Sequence, residues 1–120
     1  MAKVTGIGGI FFRSQDPAAL NDWYQRHLGI TQPDAAVWQQ EAGPTVFSPF
    51  AADTDYFPAD KQWMLNLRVD DLPALIGQLR AAGIAVETRA DWDGDGSYGH
   101  FARIHDPEGT PIELWQPPAG

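Results

Sequence analysis

Hydrophobic and polar positions alternate along some stretches of this chain and recur at helical spacing along others. In the last of these, Pro111 to Trp115, Ile112 and Leu114 point one way while Pro111, Glu113 and Trp115 point the other. In Gln62 to Val69, the residues Leu65, Leu67 and Val69 oppose Met64, Asn66 and Arg68, and in Tyr98 to Ile104, Phe101 and Arg103 oppose Ala102 and Ile104. These three stretches read as strands with one aliphatic and one semi-polar face. Val4 to Arg13, with Ile10-Phe11-Phe12 after a Gly-rich start, reads as a strand covered on both faces. Leu20, Tyr24, His27 and Leu28 follow a helical period. Asp16 and Pro17 suit the start of that helix, since a carboxylate can accept a free N–H there and proline has none to lose; Gly29 suits its end. Leu72, Leu75, Ile76 and Leu79 predict a second helix, capped by Asp70 or Asp71 and closed by Gly83.

The connections are rich in turn formers. Asp106-Pro107-Glu108-Gly109 is a tight reversal before the last strand. Residues 36–40 and 45–50 can form a hairpin around 41–44, 84–88 starts another strand, and 91–97 is a turn-rich loop. Residues 51–61 read as a loop whose Tyr56-Phe57 pair can cover a pocket. Laying 10–16 over 65–71 brings the two predicted helices into line, Ala19 with Ala74 and Leu20 with Leu75. Such a repeat implies an internal duplication. The expected class is α+β, with a curved sheet, helices behind its aliphatic face and a semi-polar cup in front.

Composition narrows the function. A chain of 120 residues with 43% apolar residues is the size of one domain and can bury a core. Its formal charge of −8 repels phosphate backbones and anionic lipid, which argues against nucleic-acid and peripheral-membrane partners. It contains no Cys, which removes disulfides, thiolate catalysis and cysteine-type zinc sites. The first residues lack a signal-peptide core and no apolar run approaches membrane-spanning length, so a cytoplasmic location is the expectation.

The candidate chemistry lies on the semi-polar strand faces. Glu113 is either a solvated carboxylate or arginine partner, or a general base or ligand-orienting acceptor within the cup. Asn66, Arg68 and Arg103 share that side with apolar Phe11, Met64 and Phe101, a combination suited to a small carboxylate or enolate with a hydrophobic portion; equally, the arginines can serve to neutralise nearby acids. His100 and His105 are five positions apart, on opposite faces of a continuous strand, and form no simple metal pair. The 91–96 run lacks the downstream Glu and flanking helices of a calcium-binding hand, and its Trp92, with Trp38 and Tyr98, suits a rim or dimer contact.

Several motifs in order carry a family resemblance: Gly6-Ile7-Gly8-Gly9-Ile10-Phe11-Phe12, Asp16-Pro17 with Trp23-Tyr24 and Leu28-Gly29, Leu67-Arg68-Val69-Asp70-Asp71-Leu72 with Gly83, and Asp106-Pro107-Glu108-Gly109 with Ile112-Glu113-Leu114-Trp115. Over nearly its whole length the chain resembles the vicinal oxygen chelate superfamily of glyoxalase I, bleomycin-resistance proteins and extradiol dioxygenases. The resemblance implies two pseudo-symmetric βαβββ modules, about 4–55 and 62–117 within a single domain spanning 1–120. Together they would form a curved eight-stranded mixed sheet around a cup. It also implies a homodimer, in many members with the cup completed across chains. The family's metal-ligand positions fall on Gly9, Met64 and Glu113, and only Glu113 offers a hard oxygen donor.

The combined expectation is a cup without metal or other cofactor that binds a small organic ligand, carboxylate-bearing or hydrophobic. Its ligand-binding residues would be Phe11, Met64, Asn66, Arg68, Phe101, Arg103 and Glu113. If the protein is an enzyme, Glu113 would act as base and Arg68 or Arg103 would stabilise an oxyanion. The alternatives are a metal-dependent lyase or dioxygenase with a displaced ligand set that draws on His100 or His105, and a structural dimerisation module whose cup is filled by its own side chains.

Overall fold

The computed structural model of the chain describes residues 2–30 and 37–119. Its elements run α1 (Pro17–Leu28), β1 (Leu65–Arg68), α2 (Leu72–Ala81), α3 (Ala90–Asp93), β2 (His100–His105) and β3 (Pro111–Gln116). The strands form one sheet in the order β1-β3-β2, with β1 parallel and β2 antiparallel to the central β3.

Both long helices start as their sequences dictate. Asp16 accepts a hydrogen bond from the Ala19 N–H at 3.2 Å, and Asp71, the second of the two candidate caps, accepts one from the Ala74 N–H at 3.1 Å. Each helix has a proline in its first two positions. The aliphatic face of the sheet and the two helices share one core. Leu20 and Tyr24 of α1 and Leu72 and Leu79 of α2 pack with Ala102, Ile104, Ile112 and Leu114. Ala102, Ile104, Ile112 and Leu114 are completely buried, and full burial of a side chain such as Leu114 contributes about 1.5–3 kcal/mol.

The 106–109 reversal joins β2 to β3 and ties both to α1. The Asp106 carboxylate is 4% exposed. Its Oδ1 accepts the N–H groups of Glu108 and Thr110, and its Oδ2 accepts the Tyr24 hydroxyl at 2.8 Å. Burial, the bond to Asp106 and its charge together push the Tyr24 hydroxyl pKa far up. Glu108 reaches the start of α1, accepting the Ser14 hydroxyl at 2.6 Å and the Gln15 N–H at 2.9 Å. These bonds pull the Glu108 carboxyl below its usual range. At the far end of the hairpin Gly99 has φ +99, and a Cβ there would lie 2.1 Å from the Gln116 carbonyl oxygen, so only glycine fits.

The expectation of an eight-stranded cup built from two equivalent modules is not met: among the described residues the sheet has three strands and does not close. Among the described residues, 4–13 and 37–50 contain no strand and make no backbone–backbone hydrogen bonds. Ala36, the first residue of the expected hairpin, lies outside the described residues. The 84–88 stretch contributes one isolated bridge, Glu87 to Arg103, and the start of the 91–97 loop is the short helix α3. The physical reason is that alternation makes a segment compatible with a sheet without supplying the edge it needs. The side chains of both segments are accordingly open to solvent, with Phe11 96% and Phe47 81% exposed. The duplication survives in the two capped helices and not in the strands around them.

Candidate functional site

Strand pairing determines which side chains meet on the face turned away from the helices. Asn66 of β1 and Arg103 of β2 are both register partners of Glu113 on the central strand, so the three lie side by side across the sheet. Phe101 and Arg68 are partners of Trp115 one step further along. Phe101 stacks on Trp115, with ring centroids 6.5 Å apart and planes within 10°.

Glu113 is 7% exposed. One of its oxygens accepts the Asn66 amide at 2.7 Å and the other accepts the Tyr56 hydroxyl. Among the described residues the ion pairs are Arg26–Asp22, Arg89–Glu87 and His100–Asp93, so Glu113 has no cation within 4.0 Å. Its charge is held by two neutral donors. Burial, reinforced by the hydrogen bond to Glu113 and its charge, pushes the Tyr56 hydroxyl pKa up to about 12. Arg103, 8% exposed, turns away from Glu113. One terminal nitrogen donates to the Tyr56 carbonyl at 3.0 Å, while the guanidinium carbon lies 5.1 Å from the Tyr56 ring centroid and 5.5 Å from that of Trp92. Its Nε is buried and, among the described residues, has no hydrogen-bond partner. An orphaned buried donor is costly, and it marks a position where an acceptor is wanted.

Asn66, Arg103 and Glu113 are thus brought together, and the other candidates fall elsewhere. Arg68 donates to the Pro44 and Glu41 carbonyls, fastening the irregular 41–44 segment. Phe11 projects into solvent, and Met64 is half-buried just before β1. His100 faces Asp93 at 3.0 Å, and Asp93 also accepts the Phe101 N–H, closing α3 onto β2. Two residues outside the expected set complete the site, Tyr56 from the irregular 51–61 segment and Trp92 from α3. Their aromatic character was visible in the sequence, but their approach depends on the path of segments that carry no periodicity.

The metal-ligand positions implied by the family do not suit a hard cation. Gly9 has no donor, Met64 offers a thioether, and both Glu113 oxygens already accept hydrogen bonds. Among the described residues no group of three or more His, Asp or Glu side chains is placed to hold a metal ion.

Comparison with known proteins agrees with this architecture. The family model described as "Glyoxalase-like domain" matches residues 9–115. The chain belongs to the glyoxalase-like domain family. Among solved structures, this glyoxalase-like chain is similar to TnmS3, an antibiotic binding protein from Streptomyces sp. CB03234, at 23% identity and a TM-score of 0.60. The match covers 98% of this chain and 100% of that one. At that identity the likeness establishes a shared fold. No curated protein matches the glyoxalase-like chain. Among its described residues no helix is long and apolar enough to cross a membrane.

Proposed function

We propose that this glyoxalase-like protein binds a small organic molecule against the Asn66–Arg103–Glu113 face of its sheet, without a metal, and holds it rather than transforming it. The observation that carries this reading is the buried Arg103 Nε without an acceptor, set beside a buried carboxylate and walled by Tyr56 and Trp92. A fixed donor, a fixed acceptor and aromatic walls recognise an organic molecule by shape and by a few directed bonds. Support also comes from TnmS3, which shares the fold and is described as an antibiotic binding protein. Binding without turnover fits Glu113, each of whose oxygens already accepts a hydrogen bond, one from Asn66 and one from Tyr56.

A thermal-shift screen of small acids and hydrophobic drugs tests the reading. A compound at one hundred times its dissociation constant adds about 2.7 kcal/mol to the folded state. At least one compound should stabilise the wild type and fail to stabilise Arg103→Met. Stabilisation unaffected by that substitution contradicts the proposed site.

The expected homodimer belongs to the same proposal. Phe11, Val46, Phe47 and Trp63 are more than half exposed, on or beside segments whose backbones have no backbone partners among the described residues. A second copy that covers this surface would bury it, as obligate partners do. Sedimentation at micromolar concentration should return twice the 13.2 kDa chain mass, and Phe47→Asp should shift it toward the monomer. A wild type that sediments as a monomer refutes the pairing. One observation favours a purely structural role instead, namely that Tyr56 already stands in front of Glu113.

A further inference from the structure

We propose that Tyr56 is a stand-in occupant and that the site is built for a phenol, a hydroxylated aromatic ring bearing a carbonyl or ether oxygen nearby. This rests on the small-molecule reading above and names the class of molecule.

Tyr56 makes the contacts expected of such a ligand except an acceptor for Arg103 Nε. Its hydroxyl donates to Glu113, its ring lies under the Arg103 guanidinium and edge-on to Trp92, and its carbonyl accepts from Arg103. The groups it touches sit on regular elements, Glu113 and Arg103 on paired strands and Trp92 on α3. Tyr56 itself sits on a segment without helix or strand. Its other hydrogen bond is the local one from its N–H to the Thr54 hydroxyl. The receptor is therefore held by the fold and its occupant by a loop, an arrangement suited to displacement.

The chemistry of the receptor selects the ligand. Glu113 is buried with no ion pair within 4.0 Å among the described residues, and the partners it has are neutral O–H and N–H donors, so a further neutral donor suits it better than a carboxylate. Arg103 offers a cationic face to an aromatic ring and keeps one donor, Nε, that Tyr56 does not satisfy. An aryl ring with a hydroxyl toward Glu113 and an acceptor oxygen toward Nε would match both groups. Tyr56 supplies only the first in full, so a better-matched phenol has something to gain by displacing it.

The test uses para-hydroxyacetophenone and its methyl ether, which share shape and carbonyl but differ in the donor proton. Binding is followed by titration calorimetry to the full chain, wild type and Tyr56→Ala. Removing the stand-in should tighten binding of the phenol by about tenfold, because the wild type is competent only when its own tyrosine has left. In Tyr56→Ala the phenol should bind about tenfold more tightly than the ether, and adding Glu113→Gln should erase most of that preference. Equal binding of phenol and ether overturns the inference and leaves the small-molecule reading standing. Equal binding of the phenol by wild type and Tyr56→Ala overturns the stand-in role. Failure of both compounds to bind either protein overturns the inference, and the thermal-shift screen then decides the broader reading separately. Should Tyr56→Ala lack a native circular dichroism spectrum, the wild type still answers: excess phenol, and not ether, should move the NMR signal of the Asn66 side-chain amide. An unmoved signal counts against the proposal.

Discussion

Replacing Tyr24 by Phe isolates one hydrogen bond that fastens α1 to the closing hairpin. The ring keeps its place in the core, so no cavity opens, and only the hydroxyl that donates to Asp106 at 2.8 Å is lost. Asp106 is 4% exposed, and its Oδ1 remains satisfied by two backbone N–H groups, while Oδ2 is left without its partner. A hydrogen bond to a buried charged group contributes about 1.5–3 kcal/mol, so the variant should lose about 2 kcal/mol. For a domain of this length that corresponds to a fall in Tm of roughly 8 °C. Chemical denaturation followed by tryptophan fluorescence measures the loss directly. In an Asp106→Asn background the same substitution should cost about 1 kcal/mol less, since the charge that makes the bond strong is gone. A loss below about 0.5 kcal/mol in the wild-type background would refute the assignment of this contact as the hairpin's anchor.

Alkaline pH should destabilise the fold. Tyr24 and Tyr56 have folded-state pKa values raised above the ordinary tyrosine value of 10.0, so their contribution is complete below pH 10.0 and is lost as pH rises through the raised values. Across that window each tyrosine should remove up to about 1.4 kcal/mol per pH unit, and absorbance at the phenolate band should show two residues ionising late or only on unfolding. Glu108 works in the opposite direction: its folded pKa lies below the ordinary glutamate value of 4.5, so its contribution is present above that value and lost as pH falls through the folded one. Ser14→Ala should flatten that acid limb, measured as denaturation midpoint against pH. Gly99→Ala should lose more than about 1 kcal/mol in urea unfolding, because a Cβ there would strike the Gln116 carbonyl and the backbone is held at positive φ.

What the sequence made legible was local or periodic. Asp16, Asp71 and Gly29 announce helix ends through groups that act within a turn, and Asp106-Pro107-Glu108-Gly109 folds as a reversal for the same reason. Period-two alternation placed Asn66, Arg103 and Glu113 on one face before any coordinates, and the register of β3 makes them neighbours. The strands expected in the first half failed because pairing is a property of two segments. Ile10, Phe11 and Phe12 have strand-forming side chains and no edge in this chain to join. Tyr56 was legible as a residue that can cover a pocket and Trp92 as a rim or dimer contact, but not as partners of Arg103 and Glu113, since neither segment carries a period from which to project a side chain. The family's metal positions were informative in the negative, through side chains that lack suitable donors.

The central claim is that the Asn66–Arg103–Glu113 face, and no other surface, receives the ligand. A competing location exists, a cavity of about 350 Å³ between α1 and the 106–109 reversal, lined by Trp23, His27 and Pro107 among others. NMR chemical-shift mapping of the first stabilising compound from the screen decides between them. The account predicts the largest perturbations at Asn66, Trp92, Arg103 and Glu113, with Tyr56 moving as well. Perturbations confined to Trp23, His27 and their neighbours would contradict it.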